Sequence, residues 1–195
     1  MTEEEIKQIT KLHKSYIPTG FLSTLPDRFL FELYSYIEKS PYGLLYIEKK
    51  ENRVIGFVSG TTDIKKLYLG FIFKKGLKVA CLLLPYLLNR ETLFKLFETV
   101  SYPVRSKSKA VKGSLPKAEL LSIVVHRDAQ RKGYGQSLFY RLKGGFKEKG
   151  IRNFKVVVGA NNFSARRFYE KMGGELLQEI EVHRGVRSVI YRFNT

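Results

Sequence analysis

Residues 120–138 constrain the fold more than any other stretch of this chain. Leu120 to Val125 is an apolar run of strand length. It gives way to a basic loop carrying His126, Arg127, Arg131 and Lys132, then to Gly133-Tyr134-Gly135. Leu138, Phe139, Leu142 and Phe146 follow at the spacing of one helical face. A strand that feeds a glycine-bearing loop and then a helix leaves unpaired N–H groups at the positive end of the helix dipole. Such an end binds anions, phosphates above all. A Walker loop requires Gly-Lys-Ser/Thr, but Gly135 is followed by Gln136-Ser137, and a dinucleotide fingerprint requires a third glycine where Leu138 stands. What remains is Gln130-x-x-Gly133-x-Gly135, a pattern that a ligand-free turn could also carry.

The flanking elements read as alternating helices and strands. Thr2 and Glu5 form a capping box before Ile6, Ile9, Leu12 and Tyr16, so a first helix runs to about Tyr16. Pro26-Asp27 opens a second, with a core stripe of Phe29, Leu30, Leu33, Tyr34 and Ile37. Residues 44–48 and 54–60 flank Glu51-Asn52-Arg53 as a hairpin, with Gly56 and Gly60 marking a bulge or a close backbone approach. From Asp63 to Pro103, lysines alternate with apolar residues. Two or three short helices are expected, Glu91 to Phe97 the last, packed on the core as an insertion. The segment is too interrupted to span a bilayer, and contact with a membrane surface is the less favoured alternative. Residues 102–117 read as a basic loop, so 63–117 forms a helical insertion plus loop within a single domain of 1–195. Phe154 to Gly159 is a further strand, Asn162 to Met172 a short helix closed by Gly173-Gly174, and 176–182 with 188–193 a final hairpin.

Composition excludes several classes. One cysteine, Cys81, rules out an internal disulfide framework, and His13, His126 and His183 fall at no metal-ligand spacing, so no metal is expected. The acidic start, Met1 to Glu5, is no secretory signal, and a cytoplasmic setting is expected. Lys and Arg total 35 against 18 acids, a formal charge of +17, which suits an anionic small molecule, nucleic acid or an anionic membrane face.

Two ordered motifs resolve the choice. Val125 with Gln130-Arg131-Lys132-Gly133-Tyr134-Gly135 and Leu138 resembles the acetyl-CoA motif of the GNAT N-acetyltransferases, (Arg/Gln)-x-x-Gly-x-(Gly/Ala). Asn162, Ala165, Phe168-Tyr169-Glu170-Lys171-Met172 and Gly173 resemble that family's next motif, after one intervening strand. Gly174 departs from it, since the family usually has an aromatic residue there. The resemblance implies an α/β (α+β) fold with a mixed, mostly antiparallel sheet flanked by helices. It implies acetyl-CoA as co-substrate, held by Ile123, Val124, Val125, Gln130, Arg131, Lys132, Gly133, Tyr134, Gly135, Gln136, Asn162 and Ala165. Tyr169 matches the tyrosine that protonates the coenzyme A thiolate, with a purely core aromatic as the alternative. Glu119 matches the catalytic glutamate of the histone-acetylating branch, with a water chain as the alternative base.

The resemblance also places the acceptor cleft around Thr19 to Leu25 and His183 to Arg187. The excess positive charge disfavours a polycation and suits a small anionic amine, an amino sugar or nucleotide-linked amino sugar first, a protein N-terminus or amino acid next. No nucleic-acid motif is present, and a non-catalytic basic domain binding nucleic acid or anionic membrane stands as the contrasting reading. The oligomeric state is left open.

Overall fold

The computed structural model describes residues 1–18, 20–87, 115–183 and 186–195. Helix α1 (Glu3–Tyr16) begins with the expected capping box: Glu5 N–H donates to Thr2 Oγ1, and Thr2 N–H to Glu5 Oε2. A 3-10 turn (Phe21–Thr24) leads to α2 (Asp27–Lys39). Strands β1 (Gly43–Lys50) and β2 (Arg53–Thr61) form the hairpin, turning through Glu51 in the left-handed region (φ 55°). Helix α3 (Ile64–Leu87) follows, and the helix expected over 91–97 lies outside the described residues, as does most of the basic loop. Then come β3 (Glu119–Val125), a 3-10 turn (Arg127–Ala129), α4 (Tyr134–Glu148), β4 (Asn153–Gly159), α5 (Phe163–Lys171), β5 (Glu175–His183) and β6 (Val186–Asn194).

The strands form one six-stranded sheet in the order β1-β2-β3-β4-β6-β5. Every neighbouring pair is antiparallel except β3–β4, the one connected through a crossover helix, α4. Alternation along the strands sends side chains to two cores. Leu45, Phe57 and Val124 pack with α1, α2 and α3, while Leu44, Val58 and Leu120 pack with α4 and α5. Leu138, Phe139, Leu142 and Phe146 of α4 are all at most 1% exposed, as their spacing requires. Gly60 lets α4 lie close, since a Cβ there would approach Leu142 Cδ1 to 2.7 Å.

The segment after the hairpin differs from expectation in one respect. Residues 64–87 make one helix of 24 residues, longer than the short helices expected. Gly70 does not break it, because it serves packing: a side chain there would collide with the Tyr36 hydroxyl of α2. Ile64, Leu67, Phe71 and Leu83 are buried, and Glu32 of α2, itself buried, pairs with Lys75 (3.0 Å) and Lys78 of α3. Burial works to raise the Glu32 pKa, but the two ammonium groups outweigh it and hold the carboxyl below its ordinary value.

Candidate active site

The sheet is split at its centre. Strands β3 and β4 pair only at Glu119↔Lys155 and Leu120↔Val156, then part. A bulge sits at the same place: Ser59 opposes Ser122 and Gly60 opposes Leu120, so Leu121 is an extra residue in β3. The bulge reverses which peptide groups face which neighbour. His126 donates its N–H to the Ile55 carbonyl (2.7 Å), so Val124 and Ser122 bond toward β2 while Ile123 and Val125 turn their N–H and C=O into the split. Among the described residues, β3 has no ladder partner on that side beyond Leu120. The Val125 carbonyl accepts from the Gln130 side-chain amide (3.0 Å), which confirms its direction. An extended, amide-containing chain could therefore lie along Ile123 to Val125 and satisfy the open backbone groups.

At the mouth of the split the basic loop turns twice through left-handed backbone, at Arg131 (φ 60°) and Gly133 (φ 86°). Gly133 is the N-cap of α4 and supplies no side chain to it. The first backbone bond of the helix is Ser137 N–H to Gly133 C=O (3.0 Å), so the N–H groups of Tyr134, Gly135 and Gln136 have no partner within the helix. Arg131, Lys132 and Gln136 are exposed around them. Lys132 Nζ lies over the Asp128 carbonyl (2.8 Å) and Asp128 N–H donates to His126 Nδ1 (3.3 Å), which closes the loop on itself. Arg127 N–H donates to the Tyr16 hydroxyl (3.0 Å), tying the loop to α1. Unpaired helix N–H groups and two exposed basic side chains thus lie together at the start of α4, an arrangement that can bind an anion.

Tyr169 and Phe168 project from α5 toward different surroundings. Tyr169 is 5% exposed, among the rings of Phe168, Tyr191 and Phe193. Burial pushes its phenol pKa up, so the hydroxyl is protonated at neutral pH, as an unshifted phenol would also be. Phe168 faces the loop, where a Cβ at Gly135 would lie 3.6 Å from its ring. Asn162 is the N-cap of α5: its Oδ1 accepts from Ala165 N–H (3.1 Å), so that oxygen is engaged in capping. Gly174 has a structural reason for departing from the family pattern. A Cβ there would come within 2.7 Å of Phe193 and 2.9 Å of the Tyr169 carbonyl, so the Phe193 ring takes the room.

Glu119, at the apex of the split, is buried and paired with an equally buried cation, Lys155 Nζ, at 2.9 Å. The same ammonium donates to the Pro116 carbonyl (2.9 Å). Sequence reasoning passed over Lys155, although a lysine inside Phe154-Lys155-Val156-Val157-Val158 was a visible signal of a buried, paired charge. It passed over Tyr68 of α3 as well. Burial raises the Tyr68 pKa and the Glu119 charge adds to the rise, so the two groups are electrostatic neighbours. Tyr68 lines a cavity of about 150 Å³ between the 3-10 turn and α3, walled by apolar side chains including Phe21, Leu25, Phe29 and Ile72. Of the expected acceptor regions, Thr19, Arg184 and Gly185 lie outside the described residues.

A buried polar string runs behind the bulge. His13 Nδ1 lies 2.6 Å from the Tyr34 hydroxyl, and the Ser122 hydroxyl neighbours Tyr34 on β3. Burial, with the adjacent Lys14 charge, pushes the His13 pKa down to about 4. His13 is therefore neutral at pH 7. Among the described residues, no group of three or more His, Cys, Asp and Glu could hold a metal ion.

Comparison with known proteins agrees with this geometry. The model of the acetyltransferase (GNAT) family matches residues 95–174, which include β3, the loop, α4, β4 and α5. An N-acetyltransferase from Staphylococcus aureus superimposes with a TM-score of 0.62 at 13% identity, covering 100% of this chain and 94% of that one. The PaiA N-acetyltransferase from Thermoplasma acidophilum, solved in complex with coenzyme A, gives 0.60 at 12% identity over 100% and 96% of the two chains. An acetyltransferase from Thermus thermophilus gives 0.58 at 14% identity over 100% and 94%. No curated protein sequence matches the chain. The family model thus matches the stretch that carries the split, the loop and the helix, and the solved acetyltransferases share the fold of the chain as a whole.

Proposed function

We propose that the protein transfers an acetyl group from acetyl-CoA to a primary amine, with the donor seated in the β3–β4 split. The observation that carries this reading is the coincidence, at one end of β3, of open backbone groups at Ile123 and Val125 with the uncapped N-terminus of α4. The N–H groups of Tyr134, Gly135 and Gln136, with Arg131 and Lys132, would take the diphosphate, and the β3 edge the pantetheine amides. Val124 positions this edge by packing on the α1–α2 core, and Asn162 and Ala165, at the start of α5, would contact the pantetheine arm. In the reaction the amine lone pair attacks the thioester carbonyl, the C–S bond breaks, and the departing thiolate takes its proton from Tyr169. The amine proton passes to Glu119, directly or through water. Lys155 holds Glu119 in place.

For the acceptor, the excess of 35 basic over 18 acidic residues supports a small anionic amine, an amino sugar first. A specific observation favours a second reading. The cavity lined by Tyr68 is otherwise walled by apolar side chains, which suits an amine with an apolar body. A panel of amino sugars, amino acids, peptides and alkyl or aromatic amines, followed by thiol release from acetyl-CoA, tests both. Turnover with none of them, together with no acetyl-CoA binding, refutes the catalytic reading. A cytoplasmic setting is part of the proposal, and no helix among the described residues is long and apolar enough to cross a membrane.

A further inference from the structure

Helix α3 has a second face that no described element covers. Leu69 is 67% exposed, Phe73 92%, Leu77 84% and Leu84 60%. At about 100° per residue these four fall within an arc of about 80°, a continuous apolar stripe along a helix about 36 Å long. Scattered exposed leucines are ordinary, but an aligned stripe that includes a nearly bare phenylalanine is not. Its borders are chemically one-sided: residues 64–87 contain five lysines and no aspartate or glutamate. Lys75 and Lys78 turn inward to Glu32, whereas Lys65, Lys66 and Lys74 are exposed around the stripe.

We infer that α3 docks this protein on an anionic lipid surface, lying in the interface with Leu69, Phe73, Leu77 and Leu84 among the acyl chains and the exposed lysines at the headgroups. An apolar stripe cannot be matched by nucleic-acid phosphates, and a stripe flanked only by cations matches a surface that is apolar below and anionic above. Lysine stems extend past the apolar face so that the ammonium groups reach the headgroups. The chain-wide charge of +17 adds long-range attraction of the same sign. Ile72, 46% exposed, also lines the apolar cavity beside Tyr68, so the docking face and that cavity share an edge. The inference does not depend on the acetyl-transfer reading.

The test is sedimentation of the full chain with phosphatidylcholine vesicles, with and without 30% phosphatidylglycerol, at low and at high salt. Binding is expected on the anionic vesicles, weakened at least severalfold by high salt. Phe73→Ser and Leu77→Ser should each lower partitioning about tenfold with an unchanged melting temperature, because neither side chain is in the core. Lys66→Glu with Lys74→Glu should abolish the preference for anionic lipid. Absence of vesicle binding overturns the inference. So does a light-scattering result in which the wild type is a dimer, Phe73→Ser is a monomer, and neither binds vesicles, since the face would then belong to a second copy of the chain. Acetyl-CoA binding measured on the same samples reports separately on the catalytic reading.

Discussion

Acid should destabilise this protein through His13 before its carboxylates dominate. His13 is 2% exposed with its Nδ1 hydrogen-bonded to the Tyr34 hydroxyl, so taking a proton places a charge in the core. Its pKa falls from 6.5 to about 4 on folding, chiefly through burial and secondarily through Lys14. Because the folded value is depressed, the stability it represents is intact above pH 6.5 and is lost as the pH falls toward 4. A difference of this size is worth about 3 kcal/mol in full, and about 2 kcal/mol of it is gone by pH 5. Urea unfolding between pH 7.5 and 4.5, compared with His13→Gln, measures this. The glutamine amide can still hydrogen-bond to Tyr34 but does not titrate. The wild type should lose about 2 kcal/mol more than the variant between pH 7.5 and 5, because the carboxylates shared by the two proteins cancel. Parallel curves would show that His13 is not buried as a neutral group.

The site yields three further expectations. Lys155→Met should destabilise the fold by about 3–5 kcal/mol in urea, because it strands the Glu119 carboxylate in the core, and Glu119→Gln combined with it should restore much of the loss. Tyr169→Phe should lower kcat by about a hundredfold or more in a thiol-release assay while leaving acetyl-CoA affinity nearly unchanged. Gly135→Ala meets nothing closer than 3.6 Å, so its melting temperature should hold while calorimetry shows acetyl-CoA affinity falling about tenfold.

The periodic elements were legible because local signals and tertiary burial agree. The Thr2–Glu5 capping box, the Leu138–Phe146 stripe and the residues flanking Glu51 each specify an element without outside help. The strand–loop–helix at Val125 to Gly135 was legible for the same reason, since its glycines and helix start lie together in sequence. The split of the sheet was not. Its cause is the pairing of β3 with β2 and β4, and the extra residue at Leu121 has no local signature. Lys155 sits in an apolar strand, which signals a buried and paired charge, but its partner Glu119 is distant in sequence and only the β3–β4 pairing identifies it. Helix α3 was read as short pieces within a stretch interrupted by lysines and proline, whereas it runs unbroken from Ile64 to Leu87, with Gly70 small enough to admit the Tyr36 hydroxyl. The apolar stripe on the same helix could be recognised as exposed only once its other face was seen to pack on α2.

The central claim is that acetyl-CoA occupies the split between β3 and β4 and the N-terminus of α4. Amide hydrogen exchange with and without acetyl-CoA reads those backbone groups directly. The account predicts slower exchange in peptides covering Ile123 to Val125 and Gly133 to Gln136, with no change across α1. Binding of acetyl-CoA without protection at either segment, or with protection confined to another part of the sheet, would contradict it.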